Sequence, residues 1–115
     1  MARERIAVTR LKQSEKYEKI RQDLLDQLER NCIYGEHFKD LVEDYMQLWI
    51  VKNLLIDDIK SRGVSIKWKN GEKQSGYKKN DSINELNKTN AQMLKLLSEL
   101  GIKTNSIYDD EDDDL

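Results

Sequence analysis

Residues 36–63 read EHFKDLVEDYMQLWIVKNLLIDDIKSRG, and this stretch decides the fold. Its apolar side chains recur every three or four residues, which is the period of an amphipathic helix, and Gly63 is typical of a helix end. Near the middle the apolar positions spread over several faces, so the helix must be covered on more than one side. We predict a helix over 36–62 with more apolar surface than one chain of 115 residues can cover.

The uncovered part of this helix is expected to bind another copy of the same chain. The prediction is therefore a homo-oligomer that completes its core by association. The residues predicted to lie in the contact between copies are Leu48, Trp49, Val51, Leu55 and Ile59.

Two further helices are predicted, one on each side of this stretch. Apolar residues at steps of three and four after Ser14 indicate a helix over about 14–30. Ser82 followed three residues later by Glu85 is a capping-box pattern, which indicates the start of a helix over about 82–100. The predicted fold is therefore mainly α, with three helices.

Between the second and third of these helices the hydrophobic period changes to that of a strand. Apolar residues alternate with serine and lysine over 64–69, and Asn70-Gly71 is a dipeptide well suited to a two-residue hairpin turn. We predict a β-hairpin over about 64–77. An isolated hairpin is barely stable in water, so it is expected to lean on a helix or on a neighbouring copy.

The predicted turn also fixes which hairpin residues face each other. Trp68 would lie opposite Lys73, and the rings of Trp68 and Tyr77 would share one apolar face. Lys67 and Lys69 would project from the other face. In this arrangement the aromatic rings and those two lysines point in opposite directions.

Charge is strongly segregated along the chain, although the net charge is only −2. Residues 1–21 carry a net +4 and residues 60–80 a net +6, whereas residues 22–59 carry −6. Residues 109–115 contain six acids and no base. Basic segments suit a phosphate backbone, and an acidic tail suits a basic partner.

These patterns divide the chain into a basic N-terminal arm (1–12), a helical core with the hairpin (13–104) and an acidic tail (105–115) that is expected to be disordered. The alternatives are that the hairpin is only a solvated surface turn and that the tail only aids solubility. The predicted phosphate contacts are Arg3, Arg5, Arg10, Lys12, Lys67, Lys69, Lys73, Lys78 and Lys79. The predicted docking residues of the tail are Asp109, Asp110, Glu111, Asp112, Asp113 and Asp114.

No catalytic or metal-binding pattern is present in the sequence. The five glycines do not form a phosphate-binding loop, and His37 as the single histidine leaves few routes to acid–base chemistry. Cys32 and His37 supply fewer ligands than a zinc site normally uses, and a single cysteine fits a reducing compartment. Because the sequence has neither a signal-like start nor a membrane-length apolar run, we expect a soluble, intracellular protein. Because it has no catalytic or metal-binding pattern, we expect a non-catalytic protein without cofactor.

The stretch SRGVSIKWKNGEKQSGYKKNDSINELNKTNAQMLKLLSELGI resembles the C-terminal half of one family of tailed-phage terminase small subunits. The matching parts are Gly63 after the long helix, the helix start at Lys78-Lys79-Asn80, and the closing Leu-Leu-Ser-Glu-Leu-Gly at 96–101. The preceding helix resembles the central helix of that family, so the resemblance covers most of residues 15–103.

The resemblance implies a role in viral genome packaging. Small terminase subunits bind double-stranded phage DNA near the packaging start, form ring-like oligomers and regulate the large terminase subunit, which holds the ATPase and nuclease. The resemblance places the protein in the host cell cytoplasm. The large subunit is then the expected partner of the acidic tail, which is interpreted as a docking segment from its charge alone. Two alternatives stay open: a helical adaptor that does not bind DNA, and a small DNA-binding transcription regulator. The regulator would need a tight pair of short helices, and none is expected before residue 36.

Overall fold

The computed structural model describes residues 2–102, which form a mainly helical fold with one small antiparallel sheet. The helices are α1 (Ala2–Lys12), α2 (Glu15–Arg30), α3 (Glu36–Arg62) and α4 (Asp81–Glu99), and the strands are β1 (Ser65–Asn70) and β2 (Gln74–Lys79). The three predicted helices and the hairpin between the second and third of them are confirmed, with bounds that differ by a few residues at most. The predicted acidic tail, with its six docking residues, lies outside the described residues.

The prediction of three helices is wrong in one respect, because residues 2–102 contain four. The expected basic arm is helix α1, and Val8 and Leu11 on one side of it pack against the core. Alanine, arginine and leucine all have high helix propensity, which favours this conformation. Part of the cover that α3 was expected to receive from another copy is therefore supplied by α1.

The expectation that no tight pair of helices precedes residue 36 is also wrong. Helices α1 and α2 are separated by residues 13 and 14 alone, and the side chain of Ser14 caps α2 by accepting a hydrogen bond from the Tyr17 amide at 3.2 Å. DNA-binding helix-turn-helix motifs usually connect their helices through three or four residues, often including glycine. The α1–α2 connection is shorter than that and contains no glycine.

The core lies where the first half of α3 meets α2 and α4. Val42 and Met46 of α3 are fully buried, and the rings of Trp49 and Tyr17 form a T-shaped contact with the centroids 5.7 Å apart. On α4 the buried apolar side chains include Met93. These residues lie on the apolar stripes that the sequence predicts, so the helical period alone identifies most of the core.

Helices α3 and α4 run antiparallel. Ser82 at the start of α4 is hydrogen-bonded to Asp58 near the end of α3. At the other end, Gly101 lies beside Ile33, which precedes α3. The hairpin therefore emerges at the end of this helix pair where α3 stops and α4 begins.

Candidate nucleic-acid interface

The hairpin is anchored by a polar cluster that we call the hairpin base, formed by Asp58, Arg62, Gly63, Asn80 and Ser82. Asn80 is fully buried, and its side-chain amide donates a hydrogen bond of 2.9 Å to the carbonyl of Gly63. Its side-chain oxygen accepts from the Ser82 amide at 3.0 Å and so caps α4. The helix cap predicted at Ser82 is therefore two residues too late.

Asp58 is the acceptor at the centre of the hairpin base. Its carboxylate receives two hydrogen bonds of 2.7 Å from Arg62, one of 2.6 Å from the Ser82 hydroxyl and one of 3.3 Å from Asn80. The Arg62 guanidinium and the Ser82 hydroxyl hold the pKa of Asp58 well below its ordinary value, and Asn80 adds to this effect. Asp58 thus joins the end of α3 to the start of α4, and Asn80 joins both to Gly63 at the start of the hairpin.

The pairing of the two strands differs from the predicted register. Lys67 lies opposite Tyr77 and Trp68 opposite Gly76, so the prediction that Trp68 faces Lys73 is wrong. The turn contains residues 71–73 rather than the two residues Asn70-Gly71. The physical reason is the Trp68 indole, which lies over Gly76 so closely that a Cβ atom there would be 3.0–3.1 Å from it.

This register gives the hairpin one face on which lysines and hydroxyl groups are mixed. Directly opposite residues of an antiparallel pair project to the same side, and a shift by an odd number of residues exchanges the faces. Tyr77, which is 74% exposed, therefore lies on the side of Lys67 and Lys69 and not beside Trp68. We call this side the basic face, and its residues are Ser65, Lys67, Lys69, Ser75, Tyr77 and Lys79.

The opposite side of the hairpin is more apolar. It carries Ile66, which is partly buried, and Trp68, which is 40% exposed and covers Gly76. Lys78 projects from this side, where its ammonium lies 3.8 Å from the carboxylate of Asp81. The two sides therefore differ in chemistry, and the aromatic ring that stands among the lysines is Tyr77.

Within the described part of the chain, few acids offset the positive charge of the basic face. Lys67 and Lys69 are exposed and form no ion pair with any residue between 2 and 102. Lys79 donates a hydrogen bond of 3.3 Å to the neutral side chain of Asn84. Lys73 lies in the turn, next to Glu72, which is the single acid of residues 60–80.

The cations predicted in the N-terminal arm are all exposed on α1. Arg3 and Arg10 are seven residues apart, as are Arg5 and Lys12, so each pair lies on one side of the helix, two turns apart. The apolar stripe of Val8 and Leu11 lies between these two sides of the helix and packs against the core. Helix α1 packs on α2 and α3, whereas the hairpin projects from the end of α3, so the predicted DNA-contact residues fall into two separate sets.

The five residues predicted to join copies differ in how much surface they present. Trp49 is buried within its own chain, with 6% of its surface exposed, and Leu48 packs against the same core. Leu55 and Ile59 are partly buried. Val51 is 41% exposed and is the member of this set that presents open apolar surface.

The remaining charged and reactive groups lie away from the basic face. An open groove of about 890 Å³ runs between α2 and the start of α3, and carboxylates such as Glu29 and Asp40 outnumber the cations along it. Cys32 is exposed, and the His37 ring lies against Phe38 with the centroids 4.1 Å apart. Within residues 2–102 no His, Cys, Asp and Glu side chains gather in a group of three or more that could bind a metal.

The described part of the chain is therefore a small helical protein that presents a basic β-hairpin, and none of its helices is long and apolar enough to cross a membrane. The sequence profile of the family described as phage terminase, small subunit, matches residues 18–107. The chain belongs to this family, as the resemblance predicted. Helix α1 precedes the matched region. Searches of curated proteins and of solved structures found no match.

Proposed function

We propose that this terminase small subunit binds double-stranded phage DNA at the packaging start and recruits and regulates the large terminase subunit. It acts in the host cell cytoplasm and has no catalytic activity of its own. The observation that carries the proposal is the basic face, where exposed lysines that pair with no acid of residues 2–102 lie beside an exposed tyrosine. Membership of the small-subunit family supports the link to genome packaging.

Electrostatics favours the hairpin as the main DNA contact. A lysine that neutralises a phosphate releases condensed counterions, so binding strengthens without any requirement for sequence. Lys67 and Lys69 pair with no acid between residues 2 and 102, so DNA displaces no carboxylate of that part of the chain when it binds them. The cations of α1 provide a second, separate set of phosphate contacts.

Self-association is the second part of the proposal. The second half of α3 carries an apolar row at helical spacing that includes Val51, Leu55 and Ile59, and Val51 is 41% exposed. On α4, Leu94 is 58% exposed. A ring built through this surface would repeat the basic face around its circumference, so several weak contacts would act on one DNA molecule. The acidic tail is proposed to contact the large subunit.

The DNA-binding proposal is tested by reversing two charges on the basic face. We expect Lys67→Glu/Lys69→Glu to weaken binding to duplex DNA and to reduce the slope of log affinity against log salt by roughly two. The matched control is Lys88→Glu/Lys95→Glu, which makes the same change in charge at exposed positions of α4. Fluorescence anisotropy with labelled duplex at several salt concentrations measures both quantities.

Three results of this titration separate the proposal from its rivals. Loss of affinity in the hairpin variant alone supports the proposal. Equal loss in both variants assigns binding to general surface charge and contradicts a hairpin site. A wild-type protein that does not bind DNA in a salt-dependent way favours the adaptor function.

A further inference from the structure

The basic face has a regular composition that simple charge attraction does not require. Its three cross-strand pairs are Ser65 with Lys79, Lys67 with Tyr77, and Lys69 with Ser75. Each pair joins one lysine to one hydroxyl-bearing side chain. A hydroxyl both donates and accepts hydrogen bonds, whereas a phosphate oxygen only accepts. The hydroxyl row therefore suits a ligand that offers donors and acceptors together.

The edges of base pairs in the major groove of DNA have this mixed character. Each base pair presents its own pattern of donors, acceptors and, at thymine, a methyl group. The minor groove is narrower and its pattern is less varied. Serine hydroxyls can bind several base edges, and an exposed aromatic ring can contact the thymine methyl group.

The dimensions of the hairpin also fit the major groove. Paired strands lie about 4.8 Å apart, and six residues of strand extend about 20 Å. The major groove is about 12 Å wide and admits a two-stranded ribbon. Strands β1 and β2 have six residues each, and the hairpin stands at the end of the α3–α4 pair with most of its side chains exposed.

The hairpin base and the Trp68 side make the ribbon suitable for insertion. Asn80 and Asp58 fix the strand ends to two helices, so the ribbon is held from outside the groove. The Trp68 indole covers Gly76 on the side that would face away from DNA. A ribbon that is stiffened on its outer side loses less conformational entropy on binding.

We infer that the hairpin enters the major groove of double-stranded DNA as a β-ribbon with its basic face toward the groove floor. The Tyr77 ring contacts a thymine methyl group and Ser75 contacts a base edge, while Lys67, Lys69 and Lys79 contact the phosphates that line the groove. Tyr77 is the specificity-determining residue of this site. The inference rests on the proposed function, because it assigns a binding mode to the same DNA contact.

The first test blocks one groove at a time. The probe is a linear duplex of mixed sequence, compared with the same duplex carrying glucosylated hydroxymethyl groups on cytosine C5, which fill the major groove. We expect the blocked duplex to bind at least about tenfold more weakly, the size of one lost specific contact. Netropsin fills the minor groove at the A·T runs of the unmodified duplex. It is expected to change the affinity of the protein by less than about twofold, since the inferred ribbon does not occupy the minor groove.

The second test addresses Tyr77 itself. Replacing every thymine of the duplex by uracil removes the C5 methyl groups and is expected to weaken binding by the wild-type protein. Tyr77→Ala is expected to abolish this difference between the two duplexes. The control is Tyr34→Ala, which removes a tyrosine outside the hairpin whose exposure, 71%, is close to the 74% of Tyr77. This variant should still bind the thymine duplex more tightly than the uracil duplex.

The outcomes distinguish this inference from the proposed function. Normal binding to the blocked duplex, with binding still weakened by Lys67→Glu/Lys69→Glu, overturns the ribbon and leaves the DNA-binding proposal standing. Tighter binding to the single strand than to the duplex also overturns it and points to stacking on Tyr77 instead. If the charge reversals change nothing, both the inference and the proposal fail.

Discussion

The hydroxyl of Ser82 donates a hydrogen bond of 2.6 Å to Oδ2 of Asp58, a residue 24 positions earlier in the chain. This bond joins the first turn of α4 to the last turns of α3, on either side of the hairpin. Asn80 lies between the two helix ends and is fully buried. The direction in which the hairpin projects therefore depends on a small polar cluster rather than on apolar packing.

Asn80→Ala should destabilise the protein and release the hairpin from the helices. The substitution leaves the carbonyl of Gly63 and the amide of Ser82 without their partner, and an unpaired buried group costs about 1–3 kcal/mol. Urea denaturation followed by circular dichroism measures the free energy of unfolding. Asn87→Ala, at an exposed position of α4, should change it by less than about 0.5 kcal/mol. Equal effects of the two substitutions would contradict the role of Asn80.

The stability of the protein should fall in acid through Asp58. Its pKa is lower in the folded protein than its ordinary value of 3.8, so the unfolded chain binds this proton more readily. The stabilisation is fully present above that value and is lost as the pH falls further below it. The free energy of unfolding of Asp58→Asn should thus lie below that of wild type at pH 7 and approach it as the pH falls below about 4. Asp57→Asn, at the adjacent exposed position, is the control, and a gap for Asp58→Asn that stays constant with pH would contradict the prediction.

Gly76→Ala should move the Trp68 side chain. A Cβ atom at residue 76 would lie 3.0 Å from Nε1 of the indole, so the ring must swing outward. We expect Trp68 to become more accessible to acrylamide in fluorescence quenching, while Trp49 stays buried. Ser75→Ala changes a neighbouring residue on the basic face and should leave quenching unchanged. Unaltered quenching in the Gly76 variant would mean that the indole does not cover this glycine in solution.

Val51→Glu should release smaller species from the oligomer that we propose. The residue is 41% exposed, so a carboxylate there is solvated in the free chain but would be buried and unpaired in a contact between copies. Trp49→Glu is less informative because it would place a charge inside the core of each copy. Native mass spectrometry gives the subunit number. Gln92→Glu adds the same charge at an exposed position of α4 and should keep the oligomer intact.

Two outcomes of this measurement would be decisive. An unchanged oligomer in the Val51→Glu variant removes this surface from the contact between copies. A monomeric wild-type protein at micromolar concentration removes self-association from the proposal.

The sequence predicts the three longer helices because their apolar periodicity is strong and because residues typical of helix ends flank them, such as Ser14 before α2 and Gly63 after α3. Helix α1 is different: its packed stripe is short, and Ile6 lies on the outer side with 59% of its surface exposed. Arginines and one lysine flank that stripe, so the sequence pattern is as typical of a basic arm as of a helix. Packing on α2 and α3, which the sequence does not display, decides between the two.

The hairpin was predicted correctly as an element, but its register was not. Asn70-Gly71 favours a two-residue turn locally, whereas the contact of Trp68 with Gly76 depends on residues across the sheet and selects a longer turn. That difference moves Tyr77 to the face with Lys67 and changes the chemistry of the candidate site. The N-cap of α4 is Asn80 and not the predicted Ser82 for a similar reason. Asn80 also donates a hydrogen bond to the carbonyl of Gly63, a distant residue that local sequence does not reveal.

The contact between the basic face and DNA can be measured most directly by photocrosslinking. The photoreactive amino acid p-benzoylphenylalanine is placed at Tyr77 in one variant and at Tyr34 in another, two positions that are 74% and 71% exposed. Irradiation with labelled duplex DNA should give a covalent protein–DNA adduct from position 77 and little from position 34. DNA that binds both variants but forms no more adduct at position 77 than at position 34 would contradict the account.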